Sequence, residues 1–170
     1  MKPKILVVVF VSFLILPSQL SAFDGQRKGF ILGGGVGLGY LAGSEYPLIS
    51  AWSPAANFKI GYAPSNTLEI SYTNAAAGIY EIYDDADWFF GVNAFALTKY
   101  FEPDKPGFFI TGGIGWAYKI QSENEGGLGL IGGVGYELGR HWNLQGDVVY
   151  MNARHEHYVA IRLTLNVLAF

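Results

Sequence analysis

Several groups of residues have the types and spacing to do chemistry. The stretch GGLGLIGGVGYEL, Gly126 to Leu138, holds Gly127, Gly129 and Gly132 at G-x-G-x-x-G spacing, with Asp147 about twenty residues further on. A dinucleotide-binding loop uses such glycines between a strand and a helix whose N-terminus meets phosphate. Here apolar and small residues alternate without a break through Gly132 and Gly133 to Leu138, so no helix opens where the motif needs one. Neither a nucleotide nor any other cofactor is expected. His155 and His157 of RHEH would share one face of an extended strand and could share a metal ion. Two imidazoles without a third ligand make an incomplete site, and a polar loop tip is the expectation. Glu81, Asp84, Asp85 and Asp87 could collect Ca²⁺ or Mg²⁺, but they lack the spacing and glycine of a calcium loop and read as a solvated acidic loop. His141 reads as a solvated turn residue. No cysteine is present, which removes thiolate ligands, thiol nucleophiles and disulfides.

Composition narrows the setting. Of 170 residues only 15% are charged, 16% are aromatic, and 23 are glycine. Soluble domains carry about 25% charged residues, so something other than water is expected to face much of this surface. At the N-terminus, Lys2 and Lys4 precede an apolar run from Ile5 to Leu16 and then PSQLSA. A positive segment, a short apolar run and small residues at a cleavage point describe an export signal over 1–22, leaving 23–170 as one domain. The run is shorter than the roughly 20 residues of a transmembrane helix. Loss of the two lysines leaves the chain more acidic than its formal −3, and no basic patch suggests nucleic acid.

The elements that must position these residues are strands. Period-two alternation runs through Phe30–Tyr40, Asn57–Tyr62, Leu68–Thr73, Phe90–Tyr100, Phe108–Tyr118, Leu128–Leu138, Trp142–Tyr150 and Val159–Val167. Eight strands suit a closed antiparallel barrel. The connections at 63–66, 102–106 and 139–141 are short and turn-like. Those at 41–55, 74–87, 120–126 and 152–157 are longer, so short and long ends alternate.

The two faces differ. One is apolar. The other carries about one charge per strand, Lys59, Glu69, Lys99, Glu137, Asp147 and Arg162, three of each sign. In the fourth strand Phe90, Val92, Ala94, Ala96 and Tyr100 are assigned to the apolar face opposite Asn93 and Lys99, although Phe95 and Leu97 then fall on the polar side. A secreted barrel with its apolar face inward would need many more charges outside. The expectation is therefore an apolar face toward lipid and an enclosed, mutually neutralising charge network. Aromatic residues on the apolar face form two girdles: Phe30, Tyr62, Tyr100, Phe108, Tyr136 and Trp142 near the short turns, and Tyr40, Tyr72, Trp88, Trp116, Tyr118 and Tyr150 near the long loops.

On GFFITGGIGWAY, GLGLIGGVGYELGRHWNLQGDVVY and a last strand ending in Phe170, the chain resembles the small outer-membrane β-barrel superfamily of Gram-negative bacteria, of the opacity-protein and OmpA-transmembrane-domain type. The resemblance covers nearly all of 23–170. It implies an all-β, eight-stranded antiparallel transmembrane barrel with short periplasmic turns and four longer extracellular loops. It also implies the bacterial outer membrane, contact with outer-membrane lipids and lipopolysaccharide, and recognition of a terminal aromatic by the barrel-assembly machinery. Phe170 is out of register with the lipid-facing positions of its strand, and a bulge near Leu168 would correct that. The superfamily spans adhesins, stabilisers and enzymes. VVYMNA, Val148 to Ala153, is similar in placement to the His-x-Ser-Asn segment of lipid A 3-O-deacylases, but Val149 and Met151 occupy the His and Ser positions and can neither take a proton nor attack an ester. A non-catalytic role in envelope structure or surface interaction is expected, with Tyr46, Trp52, Tyr80 and Tyr83 as loop aromatics. A lipid A-modifying enzyme and a small or gated channel are the alternatives.

Overall fold

A computed structural model describes residues 27–44, 50–80, 87–120, 125–139, 141–153 and 156–169; of residues 79, 80, 87–89, 120, 125 and 153 it describes the backbone alone. The expected export signal at 1–22 lies outside these residues, as do Tyr46, Glu81, Tyr83, Asp84, Asp85, His155 and Phe170.

The described residues form eight strands: β1 Gly29–Gly43, β2 Ser50–Ser65, β3 Leu68–Tyr80, β4 Asp87–Tyr100, β5 Phe108–Ile120, β6 Glu125–Glu137, β7 Trp142–Ala153 and β8 Glu156–Ala169. Each pairs antiparallel with the next, and β8 returns to β1, so the sheet closes on itself. Closure removes both sheet edges, and every strand gains a backbone partner on each side. The pairing of β8 with β1 runs without a break from Tyr158 and Gly43 to Ala169 and Leu32, so no bulge interrupts Leu168.

The strands are longer than alternation alone suggests. β2 and β3 take up much of the segments expected as loops at 41–55 and 74–87. Pro54, inside β2, cannot donate a ladder hydrogen bond. Ser50 to Pro54 pair with β1, whereas pairing with β3 begins at Ala55, so the missing N–H falls where β2 has one partner. The expected alternation of short and long connections is not seen either. Residues 101–107 join β4 to β5 at one end, while only 154–155 separate β7 from β8 at the other.

β4 corrects the sequence reading of its faces. Phe90, Val92, Ala94, Ala96 and Tyr100 are buried inside the barrel, and Phe95, Leu97 and Lys99 are exposed outside. Both faces of this strand are apolar, so polarity could not orient it. Size does: small Ala94 and Ala96 fit a crowded lumen, and large Phe95 and Leu97 cover the outside.

Glycine makes the lumen narrow enough to fill. Gly29, at φ 130°, turns the chain from Arg27 into β1, a conformation that L side chains rarely adopt. A Cβ at Gly37 or Gly115 would lie 1.9 Å from the carbonyl oxygen of Leu163 or Asn93 on the neighbouring strand. A Cβ at Gly135 would lie 2.1 Å from the Phe109 ring, so that glycine makes room for an aromatic side chain. At Gly132 a Cβ would meet nothing within 4 Å. Gly115→Ala is therefore expected to cost about 1–3 kcal/mol, and Gly132→Ala less than about 0.5 kcal/mol, measured by urea unfolding of the protein in vesicles.

Candidate functional site

The polar and charged side chains gather in the lumen and at its two ends. At the turn end, Arg27 projects in from the segment before β1. Its guanidinium forms a bidentate pair with Glu137, with Nε donating to Oε1 at 2.7 Å and Nη2 to Oε2. It also donates to the carbonyls of Asn66 at 2.9 Å, Glu102 at 2.6 Å, Pro103 at 3.1 Å and Lys105 at 2.9 Å. One cation thus ties the β2–β3 and β4–β5 connections to β6. Its carbon Cζ lies 4.6 Å from the centre of the Tyr100 ring. The Tyr100 hydroxyl donates to Glu69 Oε2 at 2.8 Å, and Lys59 Nζ stands 3.0 Å from Glu69 Oε1.

Across the middle, Arg162 Nε donates to Asp147 Oδ1 at 2.7 Å and Nη2 to Oδ2 at 3.0 Å, from directly paired positions on β7 and β8. The remaining Arg162 nitrogen donates to the carbonyls of Ala56 and Ala76 across the lumen, each at 3.0 Å. Gln145 donates to Asp147, and Asn57, Asn166 and Asn143 form a hydrogen-bonded chain beside them.

Toward the loop end the lumen turns apolar. Leu41, Phe90, Val92, Ile131, Val149, Met151 and Tyr158 pack with alanines into one cluster. Lys119 roofs it, 3.2 Å from Glu156 Oε2 and donating to the Tyr158 hydroxyl at 3.0 Å.

Of the six charges expected in an enclosed network, Lys59, Glu69, Glu137, Asp147 and Arg162 lie in the lumen. Lys99 does not: it is exposed on the outer wall, because β4 presents its odd positions outward. The cation opposite Glu137 is Arg27, and Lys119 and Glu156 add a pair at the loop end. Arg27 and Lys119 have the same odd parity as the inward positions of β1 and β5, so extending the alternation three residues before Phe30 and one beyond Tyr118 would have found both.

Tyr100, expected in a girdle, is 1% exposed inside the barrel, where Arg27 and Glu69 hold it. The outer wall exposes Phe30, Tyr62, Phe101, Phe108, Tyr136 and Trp142 at the turn end, and Tyr40, Trp52, Tyr72 and Trp116 further toward the loops. Tyr118 and Tyr150 are half-buried, and the Trp88 side chain is outside the description. Tyr150 and His157 are hydrogen-bonded at 2.7 Å and stacked. His141 is not a free turn residue: its Nδ1 is 2.9 Å from the Leu168 carbonyl oxygen, and its own carbonyl accepts from Leu168 N–H. Of the metal candidates, His157 is engaged with Tyr150 and Asp87 is described by its backbone alone, paired with Tyr80. Among the described residues no group of three or more His, Cys, Asp or Glu could hold a metal ion.

No protein-family model matches the sequence, and no curated protein sequence matches it. Solved structures do. Ail, the attachment invasion locus protein of Yersinia pestis, superposes with a TM-score of 0.66 at 11% identity, over 84% of this chain and 99% of its own. Ail in complex with the heparin analogue sucrose octasulfate gives 0.61 at 12% identity. Neisserial surface protein A gives 0.56 at 15% identity, over 82% of this chain and 97% of its own. The fold is that of the small outer-membrane barrels. Its outer wall agrees with that solvent: Val36, Leu38, Leu97, Ile114, Val134, Ile161 and Leu163 are all exposed on a continuous apolar surface that water would not tolerate. The chain therefore shares the closed eight-stranded fold of these barrels and presents an apolar exterior suited to a bilayer.

Burial gives the lumen pairs a measurable signature. The side chains of Arg162 and Asp147 are 1% and 0% exposed. Arg162→Met leaves a buried carboxylate unpaired and is expected to destabilise the barrel by about 3–5 kcal/mol, while Asp147→Leu combined with Arg162→Met restores most of that loss. Lys99→Ala is expected to stay within about 0.5 kcal/mol of the natural chain, since no buried partner is lost. Urea titrations of the folded fraction in vesicles check all three.

Proposed function

We propose that this outer-membrane barrel is non-catalytic and non-conducting, and that it serves envelope structure or surface interaction through its loop end. The observation that carries this reading is the filled lumen. Paired charges occupy the turn end and the middle, and the apolar cluster around Phe90, Met151 and Tyr158 closes the loop half. An eight-stranded barrel has room for side chains and little else. An ion crossing it would have to break buried ion pairs and then enter an apolar layer without hydration.

The deacylase-like alternative lacks its chemistry here. Val149 and Met151 stand at the positions of base and nucleophile, and both point into the apolar lumen, 1% and 2% exposed.

Charge favours a class of partner. The connections 44–49, 81–86 and 121–124 carry Glu45, Glu81, Asp84, Asp85 and Glu123 with no Lys or Arg among them, and 154–155 supplies Arg154. An acidic end attracts basic partners, or divalent cations that bridge it to lipopolysaccharide phosphates. The heparin-analogue complex belongs to Ail; this chain is expected to pass through heparin resin at physiological salt and to be retained on a polylysine resin.

Planar-bilayer recording tests the lumen. The expected result is no stable single-channel steps, and large reproducible steps would refute the filled-lumen reading. Mass spectrometry of lipid A from cells with and without the protein is expected to show identical species.

A further inference from the structure

One row of outward side chains crosses four strands: Phe58 on β2, Asn74 on β3, Asn93 on β4 and Trp116 on β5, each paired in register with the next. The adjacent row toward the turns, Ile60, Tyr72, Phe95 and Ile114, is exposed and apolar throughout. Two carboxamides therefore stand on a wall otherwise given to hydrocarbon. Asn93 lies roughly 15 Å along the barrel axis from exposed Lys99, within an apolar band about 25 Å tall, using about 3.3 Å per residue and a tilt near 40°.

The two asparagines do not stand alone. Asn74 Nδ2 donates to Asn93 Oδ1 at 2.8 Å and to the Tyr118 hydroxyl at 2.8 Å. Tyr118 starts on β5 and reaches across β4 to β3. It can do so because residue 91 is glycine: a Cβ there would lie 2.3 Å from the Tyr118 hydroxyl oxygen.

The hydrogen-bond inventory of this cluster is lopsided. Each carboxamide has two N–H donors and the phenol has one. The two bonds use both Asn74 N–H groups and leave three hydrogens, two on the Asn93 amide and one on the Tyr118 hydroxyl, with no acceptor among the described residues, against one wholly unused acceptor, Asn74 Oδ1. Turning both carboxamides over exchanges the roles of the asparagines and leaves donors in excess again. A donor unpaired in hydrocarbon is costly, and acyl chains offer it nothing. The acceptor that a membrane does supply beside its chains, with no donor of its own, is the carbonyl of an acyl linkage. A second copy of this wall would bring one unused acceptor, Asn74 Oδ1, and three more hydrogens, so donors would remain in excess at the contact.

We propose that Asn74, Asn93 and Tyr118 form a lipid-binding site on the outer wall that hydrogen-bonds the acyl carbonyl of a membrane lipid. The site rests on the reading that this wall faces the bilayer. It holds a lipid at a fixed place against β3, β4 and β5, with Phe58 and Trp116 on either side.

The test is to refold the protein into vesicles of a diester phosphatidylcholine and of its diether analogue, which has the same chains and no carbonyl. Heat-modifiable migration on gels reports insertion, and urea unfolding reports stability. The folding equilibrium constant is expected to be about fivefold greater in the diester lipid, the worth of one net hydrogen bond. Asn93→Leu and Tyr118→Phe are expected to insert normally and to lose that difference. Equal stability of the natural chain in the two lipids, or a diester preference that survives both substitutions, overturns the site. Cross-linked dimers that disappear in Asn93→Leu overturn it as well and assign the wall to a second copy. Failure to insert into either vesicle would instead refute the membrane reading on which the site rests.

Discussion

Everything in this molecule depends on the pairing of β8 with β1. In hydrocarbon a backbone N–H or C=O has no water to turn to, so an open sheet would leave two strands' worth of polar groups unsatisfied. Closing the ring solves this for every strand at once, but with eight strands it also sets a diameter that side chains alone must fill. The glycine content follows from that. Gly37 and Gly115 let neighbouring backbones approach where a methyl group would collide, and Gly135 and Gly129 make room for Phe109 and Val92 inside. The G-x-G-x-x-G spacing in β6 is a product of this packing, with Gly129 facing in and Gly132 facing out.

A closed lumen then decides how charge is stored. Charges confined to so small an interior must meet a partner, and among the described side chains four pairs do: Arg27 with Glu137, Lys59 with Glu69, Arg162 with Asp147 and Lys119 with Glu156. The guanidinium groups do more than neutralise. Arg27 collects carbonyls from the connections at the turn end, and Arg162 collects carbonyls from β2 and β3 across the barrel. Their planar forks satisfy several acceptors that would otherwise be orphaned in a dry interior. The same fixed interior leaves the outer wall and the loop end as the surfaces through which the protein can act.

The sequence by itself determined the strands, the closure and most of the facing, because period two is imposed by the pleat and an apolar exterior must be written into every strand. It was enough to place Asp147 and Arg162 on the same face of successive strands, and to show that Val149 and Met151 could not be a base and a nucleophile. It failed where its signal was degenerate. β4 is apolar on both faces, so Lys99 and Tyr100 exchanged sides, and 50–55 was assigned to a loop although Ser50 to Ala55 pair with β1. What only the tertiary structure decided was partnership across the ring. Arg27 meets Glu137 from the far end of the chain, Tyr100 bridges Arg27 to Glu69, and Tyr118 crosses Gly91 to reach Asn74. Alternation says which way a side chain points. Which residues it then meets depends on the shear and circumference of the closed sheet, and those exist only once all eight strands are in register.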